Sequence, residues 1–375
     1  MQVELLVGQY DHMIGLAWYA ASLEDYFSRM GIDYLVTQPD YPLAVRAAHS
    51  ILRPFGYNLK AFFTLFPVSA PLHARTIKHF TTQQMASLLS FRKDLHPVLI
   101  TVHDIIPYMM RDDPEQTDYR RFIDRWVDNL AVKNLHLADR IITVSNYTRL
   151  MLIEKLNIAP EKIQAILHGI DLEAFKPVAV SDEFRATYHI DPLCQYVLYV
   201  GSELPRKNLG RLLEAFAIVK RNNPNARLIK IGSPSQRRYF QKLKEQIRKL
   251  NLQDEVIILD HVSRSDLISF YNLANVFVFP SLYEGFGIPP LEAMACGTPV
   301  ICSNSTSLPE VVGDAAISID PLNITSWADA ISEILSNEEL RHNLRVKSQT
   351  RANQFSWERM TLETLAVYQE VADTI

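Results

Sequence analysis

The chain has 375 residues, of which 48% are hydrophobic and 21% charged; this is the composition of a globular protein, it excludes disorder, and the length calls for two cores rather than one. A formal net charge of −4 argues against a molecule built for nucleic acid. Three cysteines, Cys194, Cys296 and Cys302, with no CxxC pair exclude a disulfide framework and a thiolate zinc site, and suit a reducing compartment.

In chain order, Val3 to Val7 reads as an opening strand. No basic stretch followed by an apolar one precedes it, and no window reaches the ~18 apolar residues of a membrane span. The expectation is a cytoplasmic protein whose membrane contact, at the inner face of the cell membrane, is peripheral. From Tyr41 to Lys93 there is no Asp or Glu. Arg46, Arg53, Lys60, Arg75, Lys78, Arg92 and Lys93 share this span with Phe55, Tyr57, Phe62, Phe63, Leu65 and Phe66. A basic, aromatic-rich surface suits anionic lipid; an amphipathic core segment with a solvated basic face gives the same composition.

Val98 to Val102 and Arg140 to Val144 read as strands, with a long helical pattern from Asp118 to Leu137 between them. The second half is more regular. Tyr196-Val200, Arg227-Ile231, Val256-Leu259, Val276-Phe279 and Pro299-Cys302 are short β-rich runs. Amphipathic stretches separate them: Asn208 to Lys220, Gln236 to Leu250, Arg264 to Leu273 and Pro289 to Cys296. Strand alternating with helix predicts a parallel sheet covered on both faces. In such sheets ligands sit outside the carboxyl ends of the strands, so the turns at Gly201, Gly232 and Pro280 are where chemistry is sought.

Two of those turns carry a motif. After the strand ending at Phe279 come Glu284, Gly285, Phe286, Gly287, Ile288 and, one helical turn further, Glu292. The glycines allow close approach of a ligand to the backbone. Pro289 and Pro290 are tolerated in the first turn of the following helix. Its free N–H groups suit a diphosphate, and Glu292 can accept hydrogen bonds from a ribose diol. After the strand ending at Val200 come Gly201 and Ser202, then Arg206 and Lys207. Two cations before a helix start oppose its dipole; they suit instead the negative charge that builds on a leaving phosphate. His103 and Asp104 follow the strand Val98-Val102, in the same structural position.

These segments together resemble the retaining GT-B glycosyltransferases, in particular family 4 (glycosyl transferases group 1). Glu284 and Glu292 resemble the family's E-x7-E motif, Tyr199 to Ser202 and Pro205 to Leu209 its first C-domain loop, and Ser307 to Val311 the segment after the motif. His103 to Pro107, Val144-Ser145, His168 to Asp171 and Phe355 to Glu358 resemble its N-domain, linker and C-terminal-helix motifs. The likeness covers residues 95 to 375 well and the first 95 poorly.

The resemblance implies an α/β chain of two Rossmann-like domains whose parallel sheets face a central cleft. An acceptor-side domain would span 1–175, a nucleotide-sugar-binding domain 176–355, and a helix over 356–375 would cross back to the first. It implies transfer of a hexose from a nucleotide-diphosphate sugar, GDP-mannose or a UDP-hexose, to a glycan or lipid-linked acceptor in polysaccharide or glycolipid synthesis. No cofactor and no metal would be needed. His103, Arg206, Lys207 and Glu284 would be catalytic. Gly15, Gly201, Ser202, Arg206, Lys207, Glu284, Gly285, Phe286, Gly287, Ile288 and Glu292 would bind the donor. Gly15 stands for the family's glycine-rich loop, which this chain lacks in its usual form; Gly8 lies at the strand end itself. Two alternatives share a nucleotide-sugar ligand, a nucleotide-sugar epimerase of the same architecture and a non-catalytic binding module. A dinucleotide dehydrogenase is disfavoured, since no G-x-G-x-x-G follows an early strand.

Overall fold

A strand buried on both faces must be apolar on both, and the continuous apolar runs of this chain form parallel sheets for that reason. The computed structural model describes residues 2–7, 15–38, 47–48, 50–51, 73, 76–90, 92–113, 122–234 and 236–373. Their contacts divide into two units, residues 1–169 with 357–375, and residues 170–356.

The first unit holds a six-stranded sheet in the order β2-β1-β3-β4-β5-β6. These are β1 (Val3–Leu6), β2 (Tyr34–Thr37), β3 (Ile77–Phe80), β4 (Val98–Val102), β5 (Arg140–Thr143) and β6 (Ile163–Ala165). All pairings are parallel. The helix Gly15–Met30 and the C-terminal helix Trp357–Asp373 pack with the sheet; Tyr19, Leu23, Phe27, Val367 and Tyr368 share one core with Val3, Leu5 and Leu99. The helical pattern expected from Asp118 is described from Phe122. It runs to Asn134 and tightens into a 3₁₀ turn over Leu135–Leu137.

The second unit holds another six-stranded sheet, β12-β11-β10-β7-β8-β9. Its strands are β7 (Gln195–Val200), β8 (Ala226–Ile231), β9 (Val256–Leu259), β10 (Val276–Phe279), β11 (Val300–Ser303) and β12 (Ile317–Ile319). The chain runs outward from β7 through β8 to β9. It then returns to the other side of β7 as β10 and runs outward again. The reversal leaves a switch point between β7 and β10, the place where open α/β sheets bind ligands. The helices Leu209–Asn222 and Ile324–Ser336 cover one face, with Phe216, Trp327 and Ile331 buried against Val197, Leu228 and Val278.

The sequence places the domain boundary at 175/176; the contacts place it at 169/170. Ile170 already belongs to the second unit, where its N–H bonds to the Phe355 carbonyl at 2.9 Å and it forms a parallel bridge to Ser356. The basic stretch over 41–93 needs one correction. Lys78 does not face lipid: it lies on β3, 4% exposed, opposite Glu4 of β1 in register, with its ammonium donating to the Thr76 carbonyl at 3.0 Å. Arg92 pairs with Asp94. Arg46, Arg53, Lys60, Arg75 and the aromatic residues from Phe55 to Phe66 lie outside the described residues. Among the described residues no helix is long and apolar enough to cross a membrane.

A buried polar chain crosses the first unit's core. The Tyr368 hydroxyl meets His79 Nδ1, His79 Nε2 meets the Thr101 hydroxyl at 2.7 Å, and Thr101 meets the Tyr19 hydroxyl at 2.9 Å. Burial holds His79 and His103 down to about 3 and His168 to about 4. These rings are neutral in the fold, whereas an unfolded histidine titrates near ~6.5. Below that pH the unfolded chain binds protons that the folded one does not, so stability is lost as pH falls from ~6.5 toward the folded values. Each histidine should cost about 2 kcal/mol between neutrality and pH ~5. Thermal unfolding at pH ~7 and ~5 checks this: a clear drop in midpoint is expected, and an unchanged midpoint would show that the three rings are not held neutral.

Candidate active site

The switch point is built by two loops, each fixed by its local sequence. After β7 the chain passes Gly201 and Ser202, then makes a 3₁₀ turn over Pro205–Lys207. Pro205 presets the backbone of that turn. Asn208 ends it at φ 59°, a conformation that Asn tolerates better than most residues. The Asn208 amide donates to the carbonyls of Pro280 and Pro321 at 3.0 and 2.8 Å. The Leu282 N–H donates to the Arg206 carbonyl at 2.7 Å. The loop after β7 is thus stitched to the loop after β10.

That stitching aligns three charged side chains. Lys207 Nζ donates to Glu284 Oε1 at 2.6 Å. Arg206 Nη1 donates to the Tyr283 carbonyl at 3.2 Å and lies 3.6 Å from Glu284 Oε2. All three side chains are largely buried, at 17%, 15% and 10% exposure for Arg206, Lys207 and Glu284. Burial by itself would raise the Glu284 carboxyl, but the Lys207 and Arg206 charges outweigh it and hold the carboxyl below its ordinary range. Glu284 is therefore ionised at neutral pH, with a cation facing each of its oxygens.

The backbone around Glu284 is pinned from the next loop. Its N–H donates to the Thr306 hydroxyl at 3.1 Å, and the Ser307 hydroxyl lies 3.0 and 2.7 Å from the carbonyls of Glu284 and Phe286. Phe286 is buried with its ring edge-on to Phe355. Gly285 continues the loop to Gly287, which stands at φ 125°; a Cβ there would lie 2.7 Å from Leu308. The helix Ile288–Ala295 follows, with prolines in its first turn. Glu292 lies on it, half-buried, and accepts from the Tyr271 hydroxyl at 2.7 Å. Burial, only partly offset by Tyr271 and Arg264, raises its carboxyl to about 7.

The structure thus brings Arg206, Lys207 and Glu284 into contact, with Gly201, Ser202, Gly285, Phe286, Gly287, Ile288 and Glu292 on the same two loops and helix. Gly15 and His103 belong to the other unit. Gly15 opens the helix Gly15–Met30, and Gly8 lies outside the described residues. His103 follows β4, 8% exposed. Its Nε2 lies 3.0 Å from the Thr81 carbonyl and so carries the proton, which leaves Nδ1 as an acceptor. Sequence reasoning did not single out Tyr271, Thr306 or Asn208. Of these, Asn208 carried a signal, a turn residue directly after a basic pair.

Residues 14–174 match the model of "Glycosyltransferase Family 4" and residues 180–351 that of "Glycosyl transferases group 1". The O-antigen chain mannosyltransferase B of Escherichia coli is 32% identical over 284 residues, 73% of this chain and 70% of that protein. The chain belongs to glycosyltransferase family 4. It is an enzyme, and membership decides against the epimerase and binding-module alternatives. Sucrose-phosphate synthase from Thermosynechococcus elongatus has the same fold, with a TM-score of 0.77 at 22% identity over 100% of both chains. Anabaena HepE in complex with UDP and glucose also shares the fold, with a TM-score of 0.72 at 18% identity over 99% of this chain and 100% of its own. The architecture is the GT-B fold.

Close packing of the glycosyltransferase's strand ends gives a direct test. Gly232, after β8, stands at φ 140°, and a Cβ there would lie 2.6 Å from the Gly201 carbonyl oxygen. Gly31, at φ 68°, has open space around it. Gly232→Ala should destabilise by clearly more than ~1 kcal/mol, combining backbone strain with a backbone clash. Gly31→Ala should cost only the strain. Denaturant unfolding of both variants decides, and equal losses would mean that the β7 and β8 ends are not in contact.

Proposed function

We propose that this glycosyltransferase moves a hexose from a nucleotide-diphosphate sugar to a glycan or lipid-linked acceptor, with retention of anomeric configuration and without a metal ion. The observation that carries the reading is the contact of Arg206 and Lys207 with Glu284 at the switch point. Two fixed cations at the strand ends suit a diphosphate, and a carboxylate between them suits the hydroxyls of a sugar attached to it. Mannose is favoured as the sugar by the activity named for the Escherichia coli relative. A UDP-linked hexose is the second choice, since HepE holds UDP and glucose.

In this reading the bond between the anomeric carbon and the β-phosphate oxygen breaks as the acceptor oxygen bonds the same carbon from the same face. The acceptor's proton passes to the departing phosphate. Negative charge on that phosphate is larger in the transition state than in the bound donor, so Arg206 and Lys207 stabilise the former more. Glu284 holds sugar hydroxyls. Its two oxygens already face Lys207 and Arg206, which makes it a poor nucleophile. Glu292 takes the ribose diol, and its carboxyl near 7 makes that grip stronger above neutrality. His103, held neutral, is too weak a base to take the acceptor proton; its acceptor nitrogen hydrogen-bonds a substrate hydroxyl. The basic segment over 41–93 would meet an anionic membrane through Arg46, Arg53, Lys60 and Arg75, since Lys78 is buried and Arg92 is paired with Asp94.

Substitution at the cation pair tests the mechanism. Lys207→Ala should lower turnover about 10²–10³-fold and weaken donor binding much less. Arg206→Lys should not restore full activity, because lysine lacks the planar fork. Turnover and donor affinity are measured with GDP-mannose and UDP-glucose, beside the unfolding midpoint, since Lys207→Ala leaves Glu284 with one cation. Near-native turnover in folded Lys207→Ala would place charge stabilisation elsewhere.

A further inference from the structure

β8 reads Ala-Arg-Leu-Ile-Lys-Ile, and its Lys230 is the residue least suited to a strand interior. It is nonetheless 1% exposed. Its ammonium meets the carboxylate of Glu203, itself 2% exposed at the side chain, and the carbonyl of Gly232 at 2.5 Å. None of these residues carries a part in the transfer described above. A buried ion pair is a poor device for stability, because apolar side chains of similar volume usually do as well or better. What such a pair can do is hold a particular atom in a particular place.

The atoms held belong to the loop that carries Arg206 and Lys207. Lys230 pairs with Tyr199 across β7 and β8, so both side chains leave the same face of the sheet. The Tyr199 hydroxyl donates to the Ser202 carbonyl at 2.9 Å, and Lys230 takes the next residue, Glu203. Gly201 makes this reach feasible, because a Cβ there would lie 2.8 Å from the Tyr199 hydroxyl. Beyond Glu203 the loop has little freedom. The Lys207 N–H bonds to the Leu204 carbonyl at 2.8 Å, and the Arg206 carbonyl accepts from Leu282. A shift at Glu203 is therefore passed to Arg206 and Lys207.

We propose that Lys230 and Glu203 are positioning residues for glycosyl transfer, a buried pair that sets the loop from which Arg206 and Lys207 meet the donor diphosphate. The inference rests on the role assigned to those two cations. A misplacement of ~1 Å from a change away from the chemistry can cost about 10²-fold in rate, so the pair should show in turnover rather than in folding.

The test uses Glu203→Asp, which keeps the charge and shortens the side chain, and the double variant Lys230→Met with Glu203→Leu, which replaces the pair by apolar residues. Three quantities are measured on the whole chain: the unfolding midpoint, release of nucleoside diphosphate from GDP-mannose and UDP-glucose, and hydrogen exchange over Gly201 to Lys207. The double variant should keep or exceed the native midpoint, yet lose at least about tenfold in turnover and exchange faster across the loop. Glu203→Asp should fold and lose activity in the same sense. Native turnover and native exchange in the folded double variant would overturn the proposal. So would a fall in midpoint that accounts for the whole loss of activity, since that is a merely structural pair. Lys207→Ala measured in parallel separates the two readings. If it too is fully active, the reading of the cation pair has failed; if it alone is impaired, only the positioning role has failed.

Discussion

Glu284 occupies a place from which a lone carboxylate would be driven. Burying an unpaired ion costs several kcal/mol even after relaxation, and Glu284 is 8% exposed. Lys207 and Arg206 remove that cost, and in return they are themselves held, one on each carboxylate oxygen. The ordering of three charged groups in a small volume follows from mutual neutralisation, and the two loops that carry them are fixed as a consequence. A site built this way has its charges set before any substrate arrives, which is the condition under which fixed dipoles and charges are most effective.

The topology makes the contact feasible. Arg206 and Lys207 are 77 or more residues from Glu284 along the chain, and β7 and β10 are adjacent only because the chain reverses direction across the sheet. Each loop then needs its own backbone device: Asn208 at φ 59° with its amide on two proline carbonyls, and Gly287 at φ 125° ahead of a helix whose first turn holds prolines. The polar residues beneath, Tyr199 and Lys230, reach up from the sheet rather than inward from solvent.

Much of this was legible in the sequence, and the reasons are specific. β7 to β11 are largely apolar runs, four of them ending at glycine, proline or serine and β9 at Asp260, so periodicity and turn residues locate them to within a residue. The two glutamates around a Gly-x-Gly, and the basic pair after a strand, are local patterns with a chemical meaning. β3 was not legible. Its Lys78 and His79 look like surface residues, yet Lys78 is set against Glu4 of β1 and His79 is bonded to Thr101 and Tyr368. Lys78 for the same reason misled as a lipid-facing base. Residues whose partners are distant in sequence carry no periodic signal, and this holds equally for Tyr271 beneath Glu292 and for Lys230 beneath Glu203. The domain boundary moved by a few residues because the isolated bridge from Ile170 to Ser356 depends on a segment almost at the other end of the chain.

A structure of the chain with GDP or UDP bound tests the central claim most directly, because it locates the diphosphate instead of inferring it from rates. The account predicts that β-phosphate oxygens lie about 2.7–2.9 Å from Lys207 Nζ and the Arg206 guanidinium, with the ribose hydroxyls on Glu292 and no ion between protein and phosphate. A diphosphate seated away from the ends of β7 and β10, or joined to the protein through a divalent cation, would contradict it.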